Sequence, residues 1–184
     1  MPLPLPCCPK TRVLVALLAY GLIAISGRSQ SALDPFPQVT GESLSGKPLS
    51  LPAGNAVILC IGFSHSSQSH LKDWVDQARK RFNNDPHIAI YSIAVLEDAP
   101  RFVRPMAVHG MKNDTPVDER DRFIVVYSNE KALKHAVRFV SPSDAYIVLL
   151  DRAGNIAWHF HGDASQNAMT ELSNRVRTIL SNGR

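Results

Sequence analysis

Ala56-Val57-Ile58-Leu59-Cys60-Ile61-Gly62-Phe63 is a continuous apolar run, and Ser64-His65-Ser66-Ser67-Gln68-Ser69-His70 follows it directly. A short apolar run without alternation predicts a central strand buried on both faces. Beyond the serines, Leu71, Trp74, Val75, Ala78 and Phe82 recur at the spacing of one helical stripe. Ser66, Ser67 and Ser69 offer caps at the start of that helix, and Asn83-Asn84-Asp85-Pro86 stops it. A buried strand feeding an amphipathic helix is therefore the centre of the fold.

Working outward, Ile88–Val95 and Phe123–Tyr127 read as further strands, with a short helix at Asn129–Val137. Residues 98–122 are less patterned: a short helix around Phe102–Val108, then a polar loop. Asp118-Glu119-Arg120-Asp121-Arg122 within that loop reads as a solvated face. Tyr146–Leu150 ends at the turn Asp151-Arg152-Ala153-Gly154-Asn155, so Ile156–His161 is its hairpin partner. A last helix carries Ala168, Met169, Leu172, Val176, Ile179 and Leu180 on one side, with Asp163 or Ser165 as its cap. On the N-terminal side, Gly41 and Gly46 punctuate short apolar segments, which predicts a hairpin. The order implies an α/β fold with a mixed central sheet, helices on both faces and an N-terminal β-hairpin.

The length of 184 residues allows one domain plus a targeting segment. Lys10 and Arg12 precede the apolar run Val13–Ile25, and small residues follow it. That order predicts a signal peptide over residues 1–31, or an uncleaved anchor, followed by one domain over 32–184. The expected location is periplasmic or secreted, the alternative being anchorage at the outer face of the cytoplasmic membrane. Membrane contact is expected only if the segment is uncleaved. Lys10, Arg12 and Arg28 account for three of the four net positive charges, so the domain itself is near neutral and no nucleic-acid partner is expected. Cys7 and Cys8 fall in the targeting segment, which leaves Cys60 without an intramolecular disulfide partner.

Two stretches carry a family resemblance. Leu44-Ser45-Gly46-Lys47-Pro48-Leu49-Ser50-Leu51 and Tyr146–Trp158, in this order, resemble the opening and closing hairpins of the thioredoxin-like superfamily, in its peroxiredoxin and thiol-reductase-like branch. The resemblance covers about residues 36–181 and implies a thioredoxin-like fold. The redox members place Cys-x-x-Cys at the start of the first helix, where this sequence reads Ser66-Ser67-Gln68-Ser69. Their cis-proline position falls on Ala145, with Pro142 three residues too early. A serine hydroxyl in the field of a helix N-terminus stays protonated and forms no disulfide, so thiol–disulfide exchange is not expected. Asp151, Gly154, Ile156, Trp158 and Gly162 resemble the redox-silent families, namely the mitochondrial ATP synthase assembly factors with their bacterial relatives and small periplasmic thioredoxin-fold proteins. That likeness implies a non-redox binding or assembly factor acting on a protein partner, a membrane protein or complex among the candidates. The fold implies a partner groove at Ser66, Ser67, Gln68, Asp144 and Ala145.

Two other chemistries compete. A one-cysteine thiol enzyme would use Cys60, although a cysteine among Ile58, Leu59, Ile61 and Phe63 reads as a small buried hydrophobe. A metal-handling protein would use His159 and His161, two apart on one strand face opposite Ile156, Trp158 and Phe160, with His65, His70 or Asp163 as further ligands. Surface histidines are the plainer reading. Phosphate-loop, nucleophile-elbow and metalloprotease motifs are all missing, so no catalytic residue, metal or cofactor is assigned.

Overall fold

The computed structural model describes residues 34–52, 55–82 and 85–182; the expected targeting segment, 1–31, lies outside them. Strands β1 (Val39–Ser43) and β2 (Pro48–Leu51) make the expected hairpin, with Gly46 at φ 88° in its turn. Strand β3 (Ala56–Gly62) is buried at every residue. A 3-10 turn, His65–Ser67, leads into α1 (Gln68–Phe82), whose buried residues are Leu71, Trp74, Val75, Ala78 and Phe82. Strand β4 (Ile88–Val95), α2 (Arg104–Asp114), a second 3-10 turn (Val117–Arg122), β5 (Phe123–Val126) and α3 (Glu130–Ala136) follow. The chain closes with β6 (Tyr146–Leu150), β7 (Ile156–His161) and α4 (Gln166–Asn182).

The seven strands lie in the order β2-β1-β5-β4-β3-β6-β7. β3, β4 and β5 are parallel neighbours, and the other pairings are antiparallel. Because side chains alternate along β3, it feeds two cores. Ile58 and Cys60 pack under α1 and α4 with Trp74, Ile147 and Leu172. Val57, Leu59 and Ile61 pack on the other face with Leu133 and Val137 of the α3 region. Trp74 is fully enclosed, and its indole N–H donates to the Gly162 carbonyl at 2.7 Å. Burying an aromatic side chain of this size contributes about 3 kcal/mol, provided its N–H keeps a partner. Ser165 caps α4 by accepting the Ala168 N–H at 3.3 Å.

The structure corrects the sequence reading in four places. The middle helix runs over Arg104–Asp114, and the expected polar loop beyond it coils into the second 3-10 turn. Within that turn Glu119 leaves the expected solvated face and pairs with Arg79, whose side chain is only 12% exposed. Ser66 and Ser67 bond Ser64 instead of capping α1, and Ser69 lies inside its first turn. Finally, a register shift between Leu149 and Leu150 sets Ile156 opposite Leu150 and Trp158 opposite Leu149. Ile156 thus packs on the Leu150 side and Trp158 on the opposite side. The bulge breaks the simple alternation that the sequence implies.

Candidate functional site

The groove expected from the sequence lies where β3 hands over to α1 and where the loop before β6 comes alongside. Ser64 donates its hydroxyl to the Pro142 carbonyl at 2.5 Å, and its oxygen lies 2.7 Å from that of Ser66. A hydroxyl has one proton, so with Ser64 committed to Pro142, Ser66 is the donor to Ser64. Ser67 is buried and donates to the Ser64 carbonyl at 2.8 Å. Its hydroxyl stands over Gly62, where a Cβ would come within 2.8 Å of it. These serines lace the chain turn to the facing loop.

The facing loop is held from below by Tyr146. Its buried phenol accepts the N–H groups of Val140 and Ser141 and donates to the Ser141 carbonyl, each at 2.8 Å. Ala145 is buried, and its carbonyl accepts the Gly162 N–H at 3.0 Å. Asp144 sits 2.8 Å from His161 Nδ1, and the His161 ring stacks on Tyr146. The cis peptide bond among the described residues is Leu51–Pro52, remote from this loop.

The five candidate residues therefore divide. Ser66 is exposed, while Ser67 and Ala145 are buried behind the surface. Gln68 turns toward α2, its amide donating to Asp114 Oδ2 at 3.2 Å. Asp144 is half-buried against His161. The hydroxyls of Ser64, Ser66 and Ser67 are bonded to one another or to backbone carbonyls, not to a basic side chain of the kind that activates a serine.

Cys60 is wholly buried, and burial pushes its thiol up to about 12, against a weak opposing pull from Arg79. It stays protonated at neutral pH and is a core residue. His159 is half-buried, and its pKa is depressed by burial, then by Arg138 and His161. His70 lies 3.3 Å from Asp163, away from the His159–His161 pair. Among the described residues no group of three or more His, Cys, Asp or Glu converges to hold a metal ion.

Sequence reasoning missed a cavity of about 530 Å³ between α1, α2 and the second 3-10 turn. Leu71, Val75, Val103, Met106, Ala107 and Met111 give it an apolar lining. Arg79 and Glu119 close one side, and burial, then Arg122, lowers the Arg79 pKa. The signal was present in the spacing of Val103, Met106, Ala107 and Met111, which share one helical face.

A central β-α-β unit, an antiparallel C-terminal hairpin and a closing helix define a thioredoxin-like protein. Solved structures agree in fold. BsSco, a member of the Sco family of cytochrome c oxidase assembly proteins, is 13% identical, with a TM-score of 0.56 over 78% of this chain and 92% of its own. StoA from Bacillus subtilis is 12% identical, TM-score 0.52, covering 77% of this chain and 97% of its own. The thioredoxin domain of a thiol-disulfide oxidoreductase from Bacteroides vulgatus is 19% identical, TM-score 0.52, covering 76% and 95%. No curated protein matches the sequence. The chain belongs to the ATP10 protein family, which it matches over residues 28–179. This is a family of ATP synthase assembly factors.

Proposed function

We propose that this chain is a redox-silent assembly factor that binds a protein partner outside the cytoplasmic membrane, using the groove between the start of α1 and the loop before β6. The family match over nearly the whole domain carries the reading. Serines at the cysteine positions and a protonated, buried Cys60 support its redox-silent part. Lys10, Arg12 and the apolar run Val13–Ile25 support export, by cleavage or as an anchor. Ser66 and Asp144 face the partner, Gln68 borders the groove on the α2 side, and Ser67 and Ala145 set the backbone behind them. Binding here is by hydrogen bonds and shape, without covalent exchange.

The test places a photo-crosslinking amino acid at Ser66 of the tagged full chain in cells, with Lys80 as a control. The expected product is an ATP synthase subunit joined through position 66 and not through position 80. Crosslinks that avoid position 66, or that never include an ATP synthase subunit, would overturn the reading. Reduction of insulin disulfides by the purified chain would overturn its redox-silent part.

A further inference from the structure

Residues 99–113 hold Arg101, Arg104 and Lys112 and no carboxylate. They cover α2 short of its last residue, Asp114, and α2 buries no residue at all. Phe102, just before the helix, is 84% exposed, Met106, one turn on, is 71% exposed, and Val117 beyond the helix is 76% exposed. Met106 also lines the apolar cavity, so the cavity opens at this surface. The Arg104 guanidinium is fixed by the carbonyls of Ala99 and Glu97, at 3.0 and 2.8 Å, over the Tyr127 ring. Arg101, His109 and Lys112 line a shallow hollow beside it. The nearest carboxylates are already engaged: Asp114, at the end of α2, accepts the Gln68 amide at 3.2 Å, Glu97 accepts the Glu130 N–H, and Asp98 lies 3.6 Å from the Lys134 ammonium.

Phe102 and Met106 thus project into water beside Arg101, Arg104 and Lys112, against which α2 sets one acid, Asp114. Contiguous exposed apolar groups mark a contact surface. Exposed Phe102 and Met106 at the start of α2, with cations beside them, fit the boundary between lipid headgroups and acyl chains. We infer that α2 and the turn before it seat this domain on an anionic lipid surface. Phe102 and Met106 enter the boundary, and Arg101 and Lys112 meet the headgroup phosphates. The charge pattern favours lipid over a protein, because anionic headgroups satisfy cations at any lateral position and need no matching carboxylates. This contact belongs to the folded domain, separate from residues 1–31 and from the groove of the proposed function.

Met106 reports on it directly. The full chain is treated with dilute peroxide alone, with phosphatidylcholine vesicles, and with mixed phosphatidylglycerol–phosphatidylcholine vesicles, and oxidation is read by mass spectrometry. Met106 is expected to oxidise several-fold more slowly on the anionic vesicles only, with buried Met169 as an internal control. Arg101→Glu with Lys112→Glu should abolish that protection, even where residues 1–31 still carry the chain to the vesicle. Each charge removed should weaken binding roughly fivefold. Phe102→Asp, at an exposed site, should act likewise without unfolding the domain. An unchanged Met106 rate on anionic vesicles, or equal shielding on phosphatidylcholine alone, would overturn the inference. Shielding that appears only with a protein partner would assign the surface to that partner instead.

Discussion

Ser67 and Gly62 are fitted to each other: the serine hydroxyl fills the space that a side chain on the glycine would occupy, 2.8 Å from the Cβ position. Gly62→Ala must therefore displace a buried, hydrogen-bonded hydroxyl, and Leu71 Cδ2 at 3.4 Å limits the escape. The expected cost is about 1–2 kcal/mol by urea denaturation, with part recovered in the Gly62→Ala, Ser67→Gly double variant. Additive losses would refute the pairing.

Cys60 should be inert in the native state. Mass spectrometry of the Cys60 peptide should find no maleimide adduct on the folded chain and full reaction in urea. The sign of its pH effect follows from its raised pKa, about 12 in the fold against 9.0 for the free thiol. Between those values the native state holds a proton that the unfolded state has lost, so stability falls as pH rises. The slope contributed by this group is about 1.4 kcal/mol per pH unit. Cys60→Ala should be less alkali-sensitive than the natural chain by that amount.

His159 should titrate below 6.5, the value of a free imidazole, because burial and then Arg138 disfavour its charged form. Its contribution to stability is present above the unfolded pKa and is lost as pH falls through the depressed native one. Arg138 stands at φ 53°, a conformation glycine adopts freely. Arg138→Gly thus removes the charge without backbone strain and should raise the His159 midpoint in an NMR titration. An unmoved midpoint would leave burial and His161 as the causes.

Glu130 and Glu97 hold the start of α3 reciprocally. Glu97 Oε2 accepts the Glu130 N–H at 2.6 Å, while Glu130 Oε2 accepts the Asp98 N–H at 3.2 Å and its other oxygen meets Lys134. Glu130→Ala leaves the Asp98 N–H without its acceptor, empties a buried side-chain position and leaves Lys134 with the more distant Asp98, at 3.6 Å. A loss of about 1–3 kcal/mol is expected in thermal or urea unfolding. Glu97→Gln should cost less, because its amide oxygen still accepts the same N–H.

The parts of this fold that could be read in advance are those where a buried face imposes a period. Leu71, Trp74, Val75, Ala78 and Phe82 are all buried as their spacing requires, and β3 is enclosed as its unbroken apolar run requires. The α2 helix was foreshortened because its stripe of Val103, Met106, Ala107 and Met111 faces an open cavity and buries no residue, which leaves a weak apolar signal. The serines misled for a different reason. Ser66 and Ser67 bond Ser64 rather than the helix, and Ser64 is itself committed to Pro142, a partner that only the tertiary fold brings near. Arg79 and Glu119 were opaque in the same way, as was the bulge that turns Ile156 away from Trp158. Of the candidate groove, its place in the chain was legible. Which of its residues are reachable was not, since Ser67 and Ala145 differ from Ser66 only in burial.

The pairing of β3 with β6 has a kinetic consequence. Val57 meets Leu150 and Ile58 meets Leu149, so the central strand waits for a segment near the far end of the chain. Closing a loop that long carries an entropic cost before any contact repays it, and sheets built from such distant pairs assemble slowly. Until Tyr146–Leu150 has emerged from the ribosome, β3 keeps one edge unpaired. A nascent chain of this sequence therefore keeps that edge of β3 open until β6 has been made.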